Sequence, residues 1–437
     1  MKYYLLHRIL LFAVPLIFTA CTFKKSPGKR LVYIECEEGR YRLIKNGRPF
    51  LVKGAAGLSQ LTTLKQVGGN TIRTWDTLGL DGILKDAAQN DLSVIVGLYM
   101  PDNQRMDEFY NNRKAVQTQF KAYKKLISRY KNHPALLCWC LGNELPFPLK
   151  PSYNGFYATF NSLVDMIHTV DPSHPVTTTM VNFQPQNIFN IKHRTNVDFI
   201  SINTFGELKN LEQSLDKYEW LWDGPFLVTE WGIDGPWLEH KQTAWRAYIE
   251  ETSTKKADQY LAKYQNYMPV DNGRFLGSLV FYWGQKQETT PTWFSMFDQQ
   301  GNRSEAINAM QYLWTAKKSE IKTPQLNYML LNEKGAHDNV FIKPGSTVKA
   351  RVLLNDADSL KYDYEWQVQP EDWYKINNQN NSKPLKPVTP AQTGLGKTGI
   401  TFTAPLKEGA YRVYVYVRGK NQTFATSNTP FYVLPNP

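Results

Sequence analysis

Residues 136–144 read LLCWCLGNE: six apolar residues closed by Gly142, Asn143 and Glu144. No polar residue alternates through the run, so both faces are buried, as in a parallel strand covered by helices. Cys138 and Cys140 are two apart and share one face, which makes them core thiols rather than a redox pair. A carboxylate directly after such a run is costly unless it faces an opening. The same texture recurs at 226–230, FLVTE, which ends in Glu230.

Outward from these two runs, six more apolar segments lie at 50–55, 71–75, 93–99, 175–180, 199–204 and 277–283. Stretches of helical periodicity separate most of them, at 58–67, 80–90, 113–130, 157–170, 208–218 and 252–267, with another at 304–317. Eight strands alternating with seven helical stretches over roughly 270 residues match the size of a closed (β/α)8 TIM barrel, expected at 40–320. A doubly wound sheet needs a glycine-rich phosphate turn after its first strand, and Gly54-Ala55-Ala56-Gly57 lacks that pattern. The fold class is therefore α/β.

From about 324 the texture changes. Short strand-like runs at 327–331, 340–342, 347–353, 362–368, 399–402, 411–417 and 429–433 alternate with Pro, Gly, Asn and Asp clusters. They predict a two-sheet antiparallel sandwich at 324–437, immunoglobulin-like in size but without a Cys-Trp-Cys spacing. The polar stretch 369–397 reads as an exposed loop.

The first twenty residues carry Lys2 and Arg8 around an apolar run that stops at Thr19-Ala20-Cys21. This is an export signal, too short for a spanning helix of about 20 apolar residues. Phe18-Thr19-Ala20-Cys21 resembles a bacterial lipobox, which implies cleavage after 1–20, lipidation of Cys21 and a polar tether at 21–39. The expected location is the cell envelope, at the outer membrane, held by the lipid anchor. The remaining three cysteines are too few for a disulfide scaffold, and neither they nor the seven histidines show a zinc spacing. A formal charge of +12 is scattered, without a finger or a P-loop, so nucleic acid is not an expected partner. Twelve Trp, twenty-five Tyr and twenty-two Phe exceed what a core needs and suit stacking on a flat amphipathic ligand.

In a (β/α)8 barrel the chemistry sits at the C-terminal ends of the strands, where Glu144 and Glu230 fall. Two carboxylates about 5 to 5.5 Å apart serve retaining glycoside hydrolysis, with burial raising the pKa of the proton donor. Tyr130-Lys131-Asn132-His133-Pro134 ahead of Leu141-Gly142-Asn143-Glu144, with Thr229-Glu230-Trp231-Gly232, resembles the strand-four and strand-seven signatures of the clan A glycoside hydrolases. The resemblance implies Glu144 as acid/base, Glu230 as nucleophile, Asn143 as donor to the substrate 2-hydroxyl, and Arg73 as the cation that keeps the nucleophile ionised. It also implies Trp283 as the floor of the sugar subsite. Asn46-Gly47-Arg48-Pro49-Phe50 is similar to the barrel entry of families 2 and 72, and a barrel with an immunoglobulin-like tail resembles the laminarin-active family 158.

One departure stands out. Relatives often read Asn-x-Tyr after strand six where this chain has Asn203-Thr204-Phe205, so the phenol that would bond the nucleophile is absent unless Tyr282 or another ring replaces it. Trp231, Trp75 and Tyr99 lie at or near strand ends and Trp237 on a loop after strand seven; each either walls the cleft or packs. Asp76, Asn182, Glu207 and Gln285 either bind hydroxyls or cap their own loops. The expected activity is retaining hydrolysis of a β-linked glycan, first a β-glucan such as β-1,3-glucan, by a monomer needing neither metal nor cofactor. Transglycosylation, mannan or galactan as substrate, and a non-catalytic carbohydrate-binding lipoprotein are the alternatives.

Overall fold

The computed structural model describes residues 30–101, 106–238, 241–355, 359–372 and 385–435. The expected signal peptide and Cys21 lie outside the described residues. A small antiparallel sheet comes first, of β1 (Val32–Glu37), β2 (Arg40–Lys45) and β3 (Arg48–Pro49). Val32 and Leu43 share a core with Val52, Leu137, Cys138 and Leu279 from inside the barrel. Backbone bonds from Val32 to Ser173 and from Tyr41 to Gly273 fix this sheet over the N-terminal end of the barrel. The tether expected over 21–39 is corrected here: Val32–Glu37 pairs with Arg40–Lys45 and buries Val32, so this part of it is a structural strand.

The barrel closes in the order β10-β11-β4-β5-β6-β7-β8-β9. Its strands are β4 (Val52–Ala56), β5 (Thr71–Arg73), β6 (Ser93–Leu98), β7 (Leu136–Leu141), β8 (Val176–Val181), β9 (Phe199–Asn203), β10 (Phe226–Trp231) and β11 (Phe275–Phe281), all parallel to their neighbours. Helices α1 (Leu61–Gln66), α2 (Leu80–Gln89), α3 (Met106–Tyr110), α4 (Arg113–Tyr130), α5 (Asn154–Val170), α6 (Pro185–Arg194), α7 (Leu211–Lys217), α8 (Ser253–Tyr267) and α9 (Glu305–Thr315) ring it. Helix α6 escapes sequence reading because PQNIFNIKHR is mostly polar; Ile188 and Ile191 carry its buried face. Helix α4 starts where the Asn112 side chain accepts from the Ala115 N–H, and α8 where Thr252 accepts from Lys255.

The C-terminal part holds two sheets, one of β12 (Leu326–Leu331), β14 (Thr347–Leu354) and β17 (Gly399–Thr403). The other runs β13-β19-β18-β15-β16, from β13 (Val340–Ile342), β15 (Asp363–Pro370), β16 (Gln392–Leu395), β18 (Gly409–Gly419) and β19 (Thr423–Val433). Val348, Trp366, Val413, Val415 and Phe431 form the core between them. The pairing is not wholly antiparallel, since β13 runs parallel to β19. The stretch expected as an exposed loop, 369–397, contains strand β16 and the buried Gln369 and Asp372. In β18 the odd residues 411–417 enter this core, while Arg412, Tyr414 and Tyr416 are buried on the opposite face. That face meets the barrel: the Thr426 N–H donates to Ser253 Oγ at the start of α8.

Gly277 shows how tightly the barrel closes. It sits in β11 at φ +128°, and an added Cβ would stand 2.2 Å from the Val52 carbonyl oxygen on the neighbouring strand. Gly277→Ala is expected to cost about 3 kcal/mol or more, from backbone strain plus overpacking, read as a lowered midpoint in chemical denaturation.

Candidate active site

The C-terminal rim of the barrel is organised by Arg73, the last residue of β5, which is 1% exposed. Its Nη1 donates to Glu230 Oε1 at 3.1 Å and to Asn203 Oδ1 at 3.0 Å, and its Nη2 to Asn143 Oδ1 at 2.8 Å. Asn203 closes β9, accepts from Thr229 Oγ1 at 2.9 Å and donates through Nδ2 to Glu144 Oε1 at 2.8 Å. The two glutamates therefore share one rim and one hydrogen-bonded chain, Glu230–Arg73–Asn203–Glu144.

Local backbone irregularity aims both carboxylates. The β9–β10 register shifts between Val228 and Glu230, and this bulge leaves both Thr229 and Glu230 directed at the Asn203–Arg73 pair. Trp231 then turns outward. Beyond β7, Gly142 and Glu144 take left-handed φ of 78° and 55°, and the Glu144 N–H is held by the Thr179 carbonyl at 2.9 Å. A non-glycine residue in that region carries about 1 kcal/mol or more of strain, which persists where the surroundings enforce it.

The electrostatics reverse one expectation. Glu144 is exposed, so burial does not fall on the residue expected to hold the proton. It falls on Glu230, whose carboxyl burial pushes up to about 7, against the opposing pull of Arg73, with Glu144 adding to the rise. The Trp75 indole Nε1 donates to Glu230 Oε1 at 2.7 Å and, with Lys286, favours the ionised form. Trp75 thus supplies the hydrogen bond that Phe205 lacks the hydroxyl to make. Its ring stacks on Tyr282 at 6.2 Å and meets Phe281 edge-on at 6.4 Å.

The remaining expected site residues divide sharply. Trp283 is fully buried, packed on Phe297 and Trp314 of α9, so it is a core residue and not a subsite floor. Trp231 is likewise fully buried against Tyr260 and Tyr264 of α8. Trp231 follows Glu230 within β10, and strand geometry sends the side chain after one that faces the mouth to the helices; Trp283 lies beyond the end of β11 and packs against Trp314. Phe281 and Tyr282, joined by a cis peptide, stand beside Trp75 instead.

Phe205 belongs to the aromatic wall, edge-on to Phe281 and to Trp237. Trp237 is 54% exposed and stacks on Phe294 at 5.5 Å, so one indole face is covered and the rest is open to solvent. Tyr99 is exposed at the end of β6 and Asn182 is half-buried just beyond β8 with φ 52°, both at the rim but outside the Arg73 network. Gln285 donates to the Pro291 carbonyl, Asp76 accepts from the Leu78 N–H and Glu207 accepts from Asn210; all three close their own loops.

Asn203, Thr229, Phe281 and Lys286 were not singled out from sequence as site residues. The signal for Asn203 is its position as the last residue of a barrel strand, the same signal that marks the glutamates. The Lys286 Nζ lies 4.8 Å from the Phe281 ring centre and 5.8 Å from that of Tyr282, and pairs with Glu288 at 2.5 Å. Among the described residues no group of three or more His, Cys, Asp or Glu gathers as a metal site.

A closed barrel with two rim glutamates is the arrangement of a clan A glycoside hydrolase. Within that class, residues 82–267 match the family model for the glycosyl hydrolases family 2 TIM barrel domain. The chain is 27% identical over 241 residues to a β-glucuronidase of Streptococcus agalactiae serotype V, covering 46% of this chain and 39% of that protein. A shorter stretch of 72 residues is 39% identical to mannan endo-1,4-beta-mannosidase F of Aspergillus clavatus, 16% of each chain. A solved β-glucuronidase of Ruminococcus gnavus shares the fold at 16% identity and a TM-score of 0.50, over 65% of this chain and 52% of that one. The chain thus spans well under two thirds of these β-glucuronidases. The likeness is thus to the barrel domain of family 2, over less than half of the chain.

With Glu230 in the nucleophile role that the clan A resemblance implies, the attacking carboxylate must be ionised, and kcat/KM is expected to fall about tenfold per pH unit below about pH 7, the value to which burial lifts Glu230. Trp75→Phe removes a donor that favours the charged form, so the acid limb should move to higher pH; a pH–rate profile of both proteins checks it.

Proposed function

We propose that the protein is a retaining glycoside hydrolase acting on a β-linked glycan. The observation that carries this is the Glu230–Arg73–Asn203–Glu144 chain at one barrel rim. Glu230 attacks the anomeric carbon while Glu144 delivers a proton to the departing glycosidic oxygen, which leaves a covalent glycosyl-enzyme. Glu144 then takes a proton from water as that water attacks the same carbon, Glu230 leaves, and configuration is retained. Arg73 and the Trp75 N–H stabilise the Glu230 carboxylate on its release. With its oxygen held by Arg73, Asn143 has its amide N–H2 to donate to a substrate hydroxyl, a bond that strengthens as charge develops on the sugar.

A β-glucan is the first substrate class, supported by the 54% exposed Trp237, whose indole is backed by Phe294 and Phe205 and offers a flat face for sugar stacking. A second reading, a glycan containing uronic acid, is favoured by the Lys286 cation beside Tyr282 and by the β-glucuronidases among the similar proteins. Transfer to a sugar acceptor uses the same residues and is read from the same products. We further infer that residues 1–20 are a signal peptide, that Cys21 is lipidated and carries the protein at the outer membrane, and that 324–437 is an immunoglobulin-like domain.

Hydrolysis of a panel of β-glucan, mannan, galactan and β-uronide substrates tests the reading, with anomeric configuration followed by NMR. Retained products are expected, with kcat lowered about 10³-fold or more in both Glu144→Gln and Glu230→Gln. Inverted products, or full turnover in either variant, would sink it. Cys21→Ser is expected to move the protein from the membrane to the soluble fraction.

A further inference from the structure

The loop between β11 and α9, residues 282–304, brings Tyr282, Lys286 and Phe294 to the rim beside Trp75 and Phe281. Its inner turns are tied by its own bonds: the Lys286 N–H donates to Ser295 Oγ, and Ser295 Oγ donates to the Pro291 carbonyl at 2.8 Å. Its outer side is held by the C-terminal sheets. Gln287, next to Lys286, donates to Asp372 Oδ2 at 3.2 Å in a buried contact just beyond β15. Arg418 Nε on β18 donates to Asp298 Oδ2 at 3.0 Å, and that same carboxylate accepts from the Gln300 and Asn302 N–H groups. Arg303 and the turn into β19 exchange backbone bonds, from the Arg303 N–H to Gln422 and from the Phe424 N–H to Arg303.

Deeper in the contact, Asn428 Nδ2 on β19 donates to Glu250 Oε2 at 2.8 Å, the oxygen that also accepts from Thr290 Oγ1 at 2.7 Å. Arg412 on β18 bonds Asn428 and the Tyr248 carbonyl, each at 2.6 Å. Buried polar groups of this kind hold a geometry because a displaced donor or charge forfeits its partner where no water replaces it. The ties recur along the loop, at Gln287, Thr290, Asp298 and Arg303, while its other side faces the rim.

We propose that the C-terminal domain is a working part of the catalytic site: Arg418, Asn428 and Asp372 are positioning residues that hold the 282–304 loop so that Lys286 and Tyr282 stand beside Trp75 and Glu230. The assignment rests on the glycosidase reading of Glu230. The consequence is that the two domains form one enzyme, with the sheets doing more than spacing the barrel from a surface. The charged groups that face Glu230 are Arg73 from β5, Glu144 beyond β7 and Lys286 from this loop, and only Lys286 moves when the loop does. Loosening the loop therefore removes one of the cations that favour an ionised Glu230.

The test uses the full chain with Arg418→Ala, Arg418→Lys and, on the loop side, Gln287→Ala. Hydrogen–deuterium exchange is expected to show protection lost across 282–304 in Arg418→Ala and Gln287→Ala, with helices α4 and α5 unchanged. In the same two variants kcat/KM should fall about tenfold or more, since small displacements of positioned groups cost that much. The acid limb should move to higher pH, as in Lys286→Met, and Arg418→Lys should recover part of each effect. Wild-type exchange in the loop, or a loosened loop with unaltered kcat/KM and pH profile, overturns the proposal. If Arg418→Ala does not fold, Gln287→Ala carries the same readouts. Full turnover in Glu230→Gln would instead count against the glycosidase reading and leave the exchange result to judge the loop.

Discussion

A guanidinium buried to 1% exposure is the constraint on which the rim depends. Taking such a charge out of water costs several kcal/mol unless a partner charge and further hydrogen bonds receive it. Arg73 finds them on three other strands: Glu230 from β10, Asn203 from β9 and Asn143 just beyond β7. One side chain from β5 thereby crosses the barrel mouth and fixes where both glutamates stand. The planar fork of arginine suits this, since its two terminal nitrogens reach separate acceptors at once.

The same arrangement accounts for the electrostatic asymmetry between the glutamates. Glu230 lies beneath the rim, covered by Trp75 and its stacked neighbours, and burial outweighs Arg73 enough to lift its carboxyl to about 7. Glu144, two residues past the left-handed Gly142, is exposed to solvent. Cover for Glu230 and solvent access for Glu144, which suit the roles proposed for them, are thus set by depth in one barrel.

Around this centre the aromatic residues do two jobs that composition cannot separate. Trp75, Phe205, Phe281, Phe294 and Trp237 make contact after contact from Glu230 out to solvent. Trp139, Trp231, Trp283 and Trp314 bind strands to helices, and Trp366 fills the core between the C-terminal sheets. Tyr414 and Tyr416 belong to neither group, lying instead on the sheet face that meets the barrel.

The eight barrel strands and the two glutamates at their ends were legible in the residues, because an unbroken apolar run of strand length must be buried on both faces and a carboxylate after one is costly to misplace. Strand β16 and helix α6 were not, since polar QTGL and PQNIFNIKHR gain their places from neighbours rather than from their own pattern. Which tryptophan faces the mouth was decided only by the tertiary structure. Inside and outside alternate along a strand, but a single bulge, as between Val228 and Glu230, resets the alternation, and its position depends on the register of the neighbouring strand. The hub role of Asn203 and the reach of Lys286 belong to the same category: both come from side chains far apart in sequence, and only closure of the barrel and docking of the C-terminal sheets bring their partners within hydrogen-bonding or Coulombic range.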